Sequence, residues 1–253
     1  MQANGEKTAG ARYGMVIDLD ACDGCGACVV ACAVENNVPP ANERATERNG
    51  IAWLRVQRLE EPDGGRVAFL PLMCQQCGDK TPCASVCPQN AVEVDPASGI
   101  VAQVPVRCLG CRYCMAACPY HARSFNWWDP DWPGHLAETL SPEVSTRTRG
   151  VVEKCSFCSH RLQAAQEAQA AAGGDARPPA YTPACVEACP NGAIVFGDLD
   201  DPESAVAKAA REPDAFRLLE RLGTGAKVYY RTRRDAVRRL ADGRATGEAT
   251  HAR

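Results

Sequence analysis

The sequence CLGCRYCMAACP, residues 108–119, decides the fold because it places four cysteines at the spacing C-x2-C-x2-C-x3-C before a proline. This run is typical of chains that bind [4Fe-4S] clusters, in which three thiolates share one cluster and the fourth ligates its neighbour. The pattern recurs along the chain: each of four quartets keeps a first C-x2-C and a last C-x3-C around a variable gap. The quartets are Cys22, Cys25, Cys28 and Cys32; Cys74, Cys77, Cys83 and Cys87; Cys108, Cys111, Cys114 and Cys118; and Cys155, Cys158, Cys185 and Cys189.

Two other uses of cysteine compete with this interpretation. A disulfide scaffold is typical of short secreted chains, whereas this chain has 253 residues and no apolar stretch or twin-arginine pair in residues 1–14. Zinc sites also use C-x2-C pairs, but they do not require a third cysteine after two residues and a fourth after three. The sequence therefore predicts iron-sulfur clusters.

The composition and charge of the chain argue against three classes: disordered, membrane-embedded and nucleic-acid-binding proteins. Apolar residues supply 45% and charged residues 23%, which is typical of neither a disordered chain nor a membrane-embedded one. The longest apolar run, residues 27–34, is far shorter than the roughly 20 residues that span a bilayer, so no transmembrane segment of its own is predicted. A formal charge of -3 gives no reason to expect nucleic acid as a partner.

The segments between the quartets predict an α+β fold of two ferredoxin-like units. Residues 91–94 and 100–104 flank a turn and form a hairpin between quartets two and three, so that residues 71–130 make an inner unit. Short strands at 15–19 and 194–196 lead into quartet one and follow quartet four. The outer unit therefore combines residues 12–33 with residues 150–200, including a helix at 161–172.

Two further segments lie outside these units. Residues 34–70 are predicted to be an insertion that carries a hairpin of strands at 51–59 and 66–70. Residues 201–253 are predicted to be a helical extension, with helices at 203–211 and 214–222 and a short strand at 227–230. From Arg231 onward seven arginines stand against three acids, which indicates a frayed or partner-bound basic tail.

The quartets and their flanking segments resemble the four-cluster electron-transfer subunit of the molybdopterin oxidoreductase complexes, such as dimethyl sulfoxide, polysulfide and tetrathionate reductases. Besides the quartets, the resemblance is carried by CAVENNVP at 32–39, CLGCRYC at 108–114, CPY at 118–120 and RSFNW at 123–127. Two more segments are especially similar to the menaquinone reductase and alternative complex III members, namely LSPEV at 140–144 and RGVVEKC at 149–155.

This resemblance implies four [4Fe-4S] clusters, each held by three cysteines of one quartet and one of another. The implied ligand sets are Cys22, Cys25 and Cys28 with Cys189; Cys155, Cys158 and Cys185 with Cys32; Cys74, Cys77 and Cys83 with Cys118; and Cys108, Cys111 and Cys114 with Cys87. Some relatives lack the cysteine that matches Cys111 and hold a three-iron cluster there. The presence of Cys111 in this chain implies a [4Fe-4S] cluster instead.

The resemblance also implies electron transfer without catalysis by this chain. Single electrons would pass between a large molybdopterin-type subunit, or a multihaem cytochrome c, and a polytopic quinone-binding membrane subunit. The subunit would be peripheral on the cytoplasmic membrane, on the periplasmic face by export with a signal-bearing partner or, alternatively, on the cytoplasmic face. The alternative function is a free-standing soluble polyferredoxin, and the sequence holds no Rossmann, flavin or pterin motif for an activity of its own.

Two alternative roles are open for each of three charged or titratable residues close to the cysteines. Lys154 and Arg112 either favour the reduced, more negative form of a cluster or form ion pairs with local acids at the surface. His121, three residues after Cys118, either tunes a cluster or is an ordinary hydrogen-bonded histidine.

Overall fold

A computed structural model describes residues 10–46, 49–61, 66–174 and 178–245, and in these ranges short strands and helices alternate with cysteine-rich loops. The strands are β1 (Tyr13–Asp18), β2 (Leu54–Leu59), β3 (Ala68–Met73), β4 (Val92–Val94), β5 (Val101–Gln103), β6 (Ser124–Phe125), β7 (Val152–Glu153), β8 (Ile194–Asp198), β9 (Ala215–Phe216) and β10 (Val228–Arg231). The helices are α1 (Ala27–Glu35), α2 (Pro82–Ser85), α3 (Tyr113–Ala116), α4 (Ser159–Ala171), α5 (Ala184–Glu187), α6 (Ala205–Ala210) and α7 (Asp235–Ala245). The mixture of small sheets and helices agrees with the predicted α+β class.

The largest sheet has four strands in the order β8-β1-β10-β9. Its centre is β1, which pairs antiparallel with β8 and parallel with β10. Met15 and Ile17 belong to the main hydrophobic core. Val16 packs on the opposite face with Leu199, directly after β8, and with Val206 of α6. Because both faces are covered, β1 is almost continuously apolar rather than alternating.

Both predicted hairpins are present. Strands β2 and β3 pair antiparallel with Leu54 opposite Met73 and Leu59 opposite Ala68, while the predicted turn at 62–65 lies outside the described residues. Strands β4 and β5 pair antiparallel between quartets two and three, with Val94 opposite Val101. The period-two pattern thus located both hairpins, although β2 begins three residues after the predicted start.

A two-residue strand pair joins the end of quartet three to the start of quartet four. Ser124 of β6 lies opposite Glu153 of β7. The buried Glu153 carboxylate accepts from Asn126 Nδ2 at 2.9 Å and from Arg147 Nη1 at 2.8 Å. Because burial of a lone carboxylate is costly, these two donors fix the connection in one conformation.

The predicted helix at 214–222 is wrong. Ala215 and Phe216 form the edge strand β9 on β10, with Phe216 opposite Tyr230, and only residues 220–222 form a short 3-10 turn. Leu219 has a φ of 50°, which ends any regular helix before that turn. The open edge of β10 therefore overrides the local helix propensity of this segment, and the extension completes the large sheet.

The basic tail is also more ordered than predicted, because α7 continues to Ala245. Val237 and Ala241 are buried against the main core. Arg231 Nε lies 3.0 Å from Asp214 Oδ1, and Arg234 Nε lies 3.1 Å from Asp20 Oδ1. Arg234 therefore ties the start of α7 to Asp20 after β1, and Arg231 ties β10 to Asp214 before β9. Residues 246–253 of the predicted tail lie outside the described ranges.

None of the described helices has both the length and the apolar content needed to cross a bilayer.

Candidate metal centres

The third cysteine of every quartet occupies the second residue of a helix. Cys28 lies in α1, Cys83 in α2, Cys114 in α3 and Cys185 in α5, each directly after the first helical residue. The helix N-terminus leaves backbone N–H groups unpaired within the helix and carries positive partial charge, so this position favours a thiolate.

The sixteen thiols lie in four groups, each with three members from one quartet and one from another. We name them centre 1 (Cys22, Cys25, Cys28, Cys189), centre 2 (Cys32, Cys155, Cys158, Cys185), centre 3 (Cys74, Cys77, Cys83, Cys118) and centre 4 (Cys87, Cys108, Cys111, Cys114). All sixteen thiols are free of disulfide bonds. Among the described residues no three Cys, His, Asp or Glu side chains lie close enough together to hold a single metal ion, so each group surrounds a wider space than one ion fills. Centres 1 and 4 each line one small cavity with all four of their cysteines.

The pKa of a thiol in each of centres 1 and 2 is raised by burial and by the other thiols of the same centre. Burial, followed by the charges of Cys22, Cys189 and Cys25, raises the pKa of Cys28 to about 11. Burial and then the charges of Cys155, Cys185 and Cys158 raise the pKa of Cys32 well above its ordinary value.

Centre 3 behaves in the same way. Burial raises the pKa of Cys77 to about 12, with further contributions from Cys74, Cys118 and Cys83. Thiols crowded in this way resist ionisation unless a positive charge compensates them, which is what the irons of a cluster supply.

Electrostatic interactions between neighbouring thiols connect the four centres in a row, in the order 1, 2, 3, 4. Cys28 of centre 1 acts electrostatically on Cys32 and Cys185 of centre 2. Cys155 of centre 2 is next to Cys74 of centre 3. Centres 3 and 4 then meet through Cys83 and Cys114, where α2 packs on α3.

The three quartets that end in Cys-Pro share a turn that donates to sulfur. The residue three positions after the last cysteine has a positive φ, at Asn90, His121 and Gly192. The alanine that follows then points its N–H back to the cysteine sulfur: Ala91 N lies 3.2 Å from Cys87 Sγ and Ala193 N lies 3.3 Å from Cys189 Sγ. Ala122 donates to Cys118 in the same way. The sequence Cys-Pro-x-x-Ala, found three times, was a visible signal of this turn.

This turn accounts for His121, whose φ of 49° corresponds to that of Asn90 and Gly192. We expect His121→Gly to leave the thermal midpoint of cluster loss nearly unchanged, because glycine adopts positive φ without strain. His121→Val should destabilise by about 1–2 kcal/mol, since a β-branched residue is poorly tolerated there. The decay of the visible iron-sulfur absorbance on anaerobic heating measures both. Equal losses for glycine and valine would contradict the assignment.

Quartet one departs from the turn because α1 continues past Cys32 to Glu35. The residue four positions after Cys32 is Asn36, and its side chain replaces the backbone donor. Asn36 Nδ2 lies 3.8 Å from Cys32 Sγ and 3.9 Å from Cys158 Sγ, both in centre 2. Hydrogen bonds to cluster sulfurs favour the reduced, more negative form.

We therefore expect Asn36→Leu to lower the reduction potential of one cluster by on the order of tens of millivolts. Anaerobic redox titration followed by electron paramagnetic resonance measures the shift. Asn42→Leu, at a partly exposed asparagine in the loop after α1, is the control and should leave all potentials unchanged. A potential that rises, or does not move, in Asn36→Leu would contradict the role of this amide.

Centre 2 is further fixed by an ionic link between α1 and α4. The Glu35 carboxylate accepts from Arg161 Nη2 at 2.7 Å and from His160 Nε2 at 2.6 Å. The hydrogen bond from Arg161 lowers the pKa of Glu35. Because α1 carries Cys32 and α4 follows Cys158 directly, this link holds two separate quartets in register.

The structure separates the two cations noted from the sequence. Lys154 is 2% exposed and its Nζ donates to the Cys155 carbonyl at 2.9 Å, so the reading as a surface ion pair is wrong. The Arg112 guanidinium lies over the rings of Phe125 and Trp127 at 5.2 and 4.8 Å. Sequence reasoning did not single out three further buried cations, Arg123, Arg147 and Lys227.

The residues present fit iron-sulfur clusters. Each centre offers four soft thiol ligands, and N–H groups already point at several of the sulfurs. Comparison with known proteins agrees: the family described as 4Fe-4S dicluster domain matches residues 21–91 and again residues 66–132. The two dicluster domains and the sixteen clustered cysteines establish four [4Fe-4S] clusters, as predicted.

Similar proteins are iron-sulfur subunits of reductases. The menaquinone reductase iron-sulfur cluster-binding subunit of Nitratidesulfovibrio vulgaris is 52% identical over 91% of this chain and 92% of its own length. The Hdr-like menaquinol oxidoreductase iron-sulfur subunit 1 of Archaeoglobus fulgidus is 39% identical over 87% and 82%. The arsenate respiratory reductase iron-sulfur subunit of a Shewanella species is 34% identical over 87% and 95%. The chain therefore belongs to the family of iron-sulfur electron-transfer subunits of these oxidoreductase complexes.

Proposed function

We propose that this chain relays single electrons along centres 1 to 4, each holding one cluster through its four cysteines. The relay connects a large molybdopterin-type or cytochrome subunit with a quinone-reactive membrane subunit, and the chain itself performs no catalytic step. The inner unit, residues 71–130, and the outer unit, residues 12–33 with 150–200, are the two bodies that hold the clusters. The complex lies on the cytoplasmic membrane with this subunit on the periplasmic face.

The observation that carries the proposal is the contrast between the ends and the middle of the row. All four cysteines of centre 2 are buried, as are three of the four of centre 3. At the two ends, Cys25 of centre 1 is exposed, and three of the four cysteines of centre 4 are partly exposed. Such an arrangement admits electrons at one end, releases them at the other and insulates the clusters between.

Centre 4 also has an apolar rim suited to a partner subunit. Val106 is 94% exposed, Leu109 57% and Tyr113 64%, and all three lie within a few residues of Cys108, Cys111 or Cys114. Exposed apolar residues gathered at one place are typical of surfaces that another chain covers. The name menaquinone reductase, carried by a relative 52% identical to this chain, supports a quinone-reactive partner.

Purification of the tagged chain from anaerobic, detergent-extracted membranes of its native host tests the proposal. We expect a complex with one large and one strongly hydrophobic chain, whose clusters become reduced when a menaquinol analogue is added, or donate electrons to the quinone. A chain recovered alone from the soluble fraction, with clusters that do not respond to quinone or quinol, would overturn the proposal and favour the soluble polyferredoxin.

A surface variant sharpens that test. Leu109→Glu places a charge in the apolar rim of centre 4, and we expect it to lower the recovery of one partner at least tenfold while the iron content stays unchanged. Leu222→Glu, at an exposed leucine of the C-terminal extension, is the matched control and should retain both partners. Equal recovery for the two variants would show that this rim is not the docking surface.

A further inference from the structure

Three buried cations in the described part of the chain have no carboxylate partner there. Lys154 and Lys227 are each 2% exposed and Arg123 is 6% exposed. A fourth buried cation, Arg147, differs because its guanidinium forms a salt bridge with Glu153. Since burying an uncompensated cation costs free energy, an anion that the polypeptide does not supply should lie beside the other three.

All three cations act on centre 3, and Lys227 is the one that acts on this centre alone. Lys227 N donates to the carbonyl of Gln75, the residue after Cys74, at 2.9 Å. Lys227 Nζ donates to the Gly99 carbonyl at 2.6 Å beside Gly78, the residue after Cys77. Its charge acts on Cys74 and Cys77. Lys154 acts on Cys83 of the same centre. The Arg123 guanidinium acts on Cys83, Cys74 and Cys118, and also on Cys114 of centre 4.

The Arg123 guanidinium has buried N–H donors that no nitrogen or oxygen atom of the described residues accepts. One Nη atom donates to Gln103 Oε1, but Nε and the other Nη are buried without a hydrogen-bond partner. The Arg123 guanidinium lies near the thiols of both centre 3 and centre 4, whose helices α2 and α3 pack together, and it partly offsets the rise that burial causes in the pKa of Cys114 of centre 4. Sulfides of a cluster are acceptors of the kind that these donors lack.

The other centres lack a comparable set among the described residues. The charged side chain that acts on Cys22 in centre 1 is the acid Asp23. Centre 2 shares Lys154 with centre 3, because Lys154 also acts on Cys155. The charge of Arg161 near centre 2 is shared by Glu35 and Glu187, with Arg161 Nη1 2.7 Å from Glu187 Oε2. The charge of Arg123 acts on Cys114 of centre 4 as well as on the thiols of centre 3.

We propose that Arg123, Lys154 and Lys227 make the cluster of centre 3 the most easily reduced of the four. The inference rests on the proposed cysteine ligands. Reduction adds one electron to the cluster and so one unit of negative charge, with no bond made or broken, and the buried cations stabilise that added charge at low dielectric. Electrons on the relay therefore rest at centre 3, next to centre 4.

Anaerobic redox titration of the purified complex, followed by electron paramagnetic resonance, tests this. We expect Lys227→Met to lower the highest of the four midpoint potentials, with at least a tenfold fall in the reduced-to-oxidised ratio at fixed potential, which is 59 mV for a one-electron couple. Arg123→Gln should lower that same potential and a second one, because Arg123 also faces centre 4. Lys227→Arg, which keeps the charge, should restore the wild-type value.

Lys208→Met is the matched control, because it removes the same charge from an exposed lysine paired with Glu203 and should move no potential. The inference is overturned if Lys227→Met and Arg123→Gln keep four clusters and leave the highest potential unmoved, or if the control shifts it equally. If Lys227→Met loses iron, the test depends on Arg123→Gln, which must keep four clusters and lower the highest midpoint potential. Absence of four clusters in the wild-type chain is a different result, and it would overturn the proposed ligands instead.

Discussion

Removing two cysteines is expected to cost one cluster or two, depending on which pair is removed. Cys28→Ala with Cys189→Ala deletes two thiols that are far apart in sequence but together in centre 1. Cys28→Ala with Cys32→Ala deletes two thiols one helical turn apart in α1 that belong to different centres. A cluster left with two or three protein ligands is lost or degraded, so the second pair should damage twice as many clusters.

Iron and acid-labile sulfide analysis after anaerobic purification measures the outcome. We expect three intact [4Fe-4S] clusters, about twelve irons per chain, for the pair within centre 1. The pair that spans centres 1 and 2 should leave two intact clusters and about eight to fourteen irons, because a cluster that keeps three thiol ligands can retain three irons; electron paramagnetic resonance counts the intact clusters and detects three-iron ones. Each double variant is the control for the other, because both remove two thiols and both include Cys28. The same number of intact clusters in the two, with four in the wild type, would contradict the pairing of quartets one and four.

Removing all clusters is expected to abolish the cooperative fold. The main core includes six buried cysteines, and each of them belongs to centre 1, 2 or 3. Without clusters, Arg123, Lys154 and Lys227 would also be buried beside thiols whose pKa values burial has raised, and so without anions. Cluster binding free energy is therefore largely folding free energy in this chain.

Differential scanning calorimetry of the chain before and after anaerobic treatment with acid and chelator measures this effect. The treated chain should show no cooperative transition and should bind a hydrophobic dye, and reconstitution with iron and sulfide should restore the original midpoint. A sample carried through the same anaerobic steps at neutral pH, without acid or chelator, is the control. A cluster-free chain with a cooperative transition within a few degrees of the holoprotein would contradict the account.

The sequence predicted the parts of the fold that local patterns encode. The cysteine spacing located the quartets, and alternation located both hairpins, because turn residues and period-two burial are local properties. It failed at residues 214–222, where pairing with β10 decides the structure. It also treated α7 as a tail, although Val237, Leu240 and Ala241 follow helical spacing and mark the buried face.

The centres were predicted in part for the same reason. Thiol ligands are recognisable from their spacing. The repeated sequence Cys-Pro-x-x-Ala is a local pattern that could also have predicted the backbone donors to sulfur. Lys227 gave no such signal: it lies beyond the last quartet and approaches Cys74 only because β10 pairs with β1 in the large sheet. Charges brought to a cluster by long-range strand pairing have no local pattern in the sequence.

The central claim is that these thiols are ligands of iron in four cubic clusters. Its most direct test is the iron and acid-labile sulfide content of the anaerobically purified wild-type chain, with zinc measured in the same sample. Four clusters of four irons predict about sixteen irons and sixteen sulfides per chain. A sulfide content close to zero, or zinc in place of iron, would contradict it.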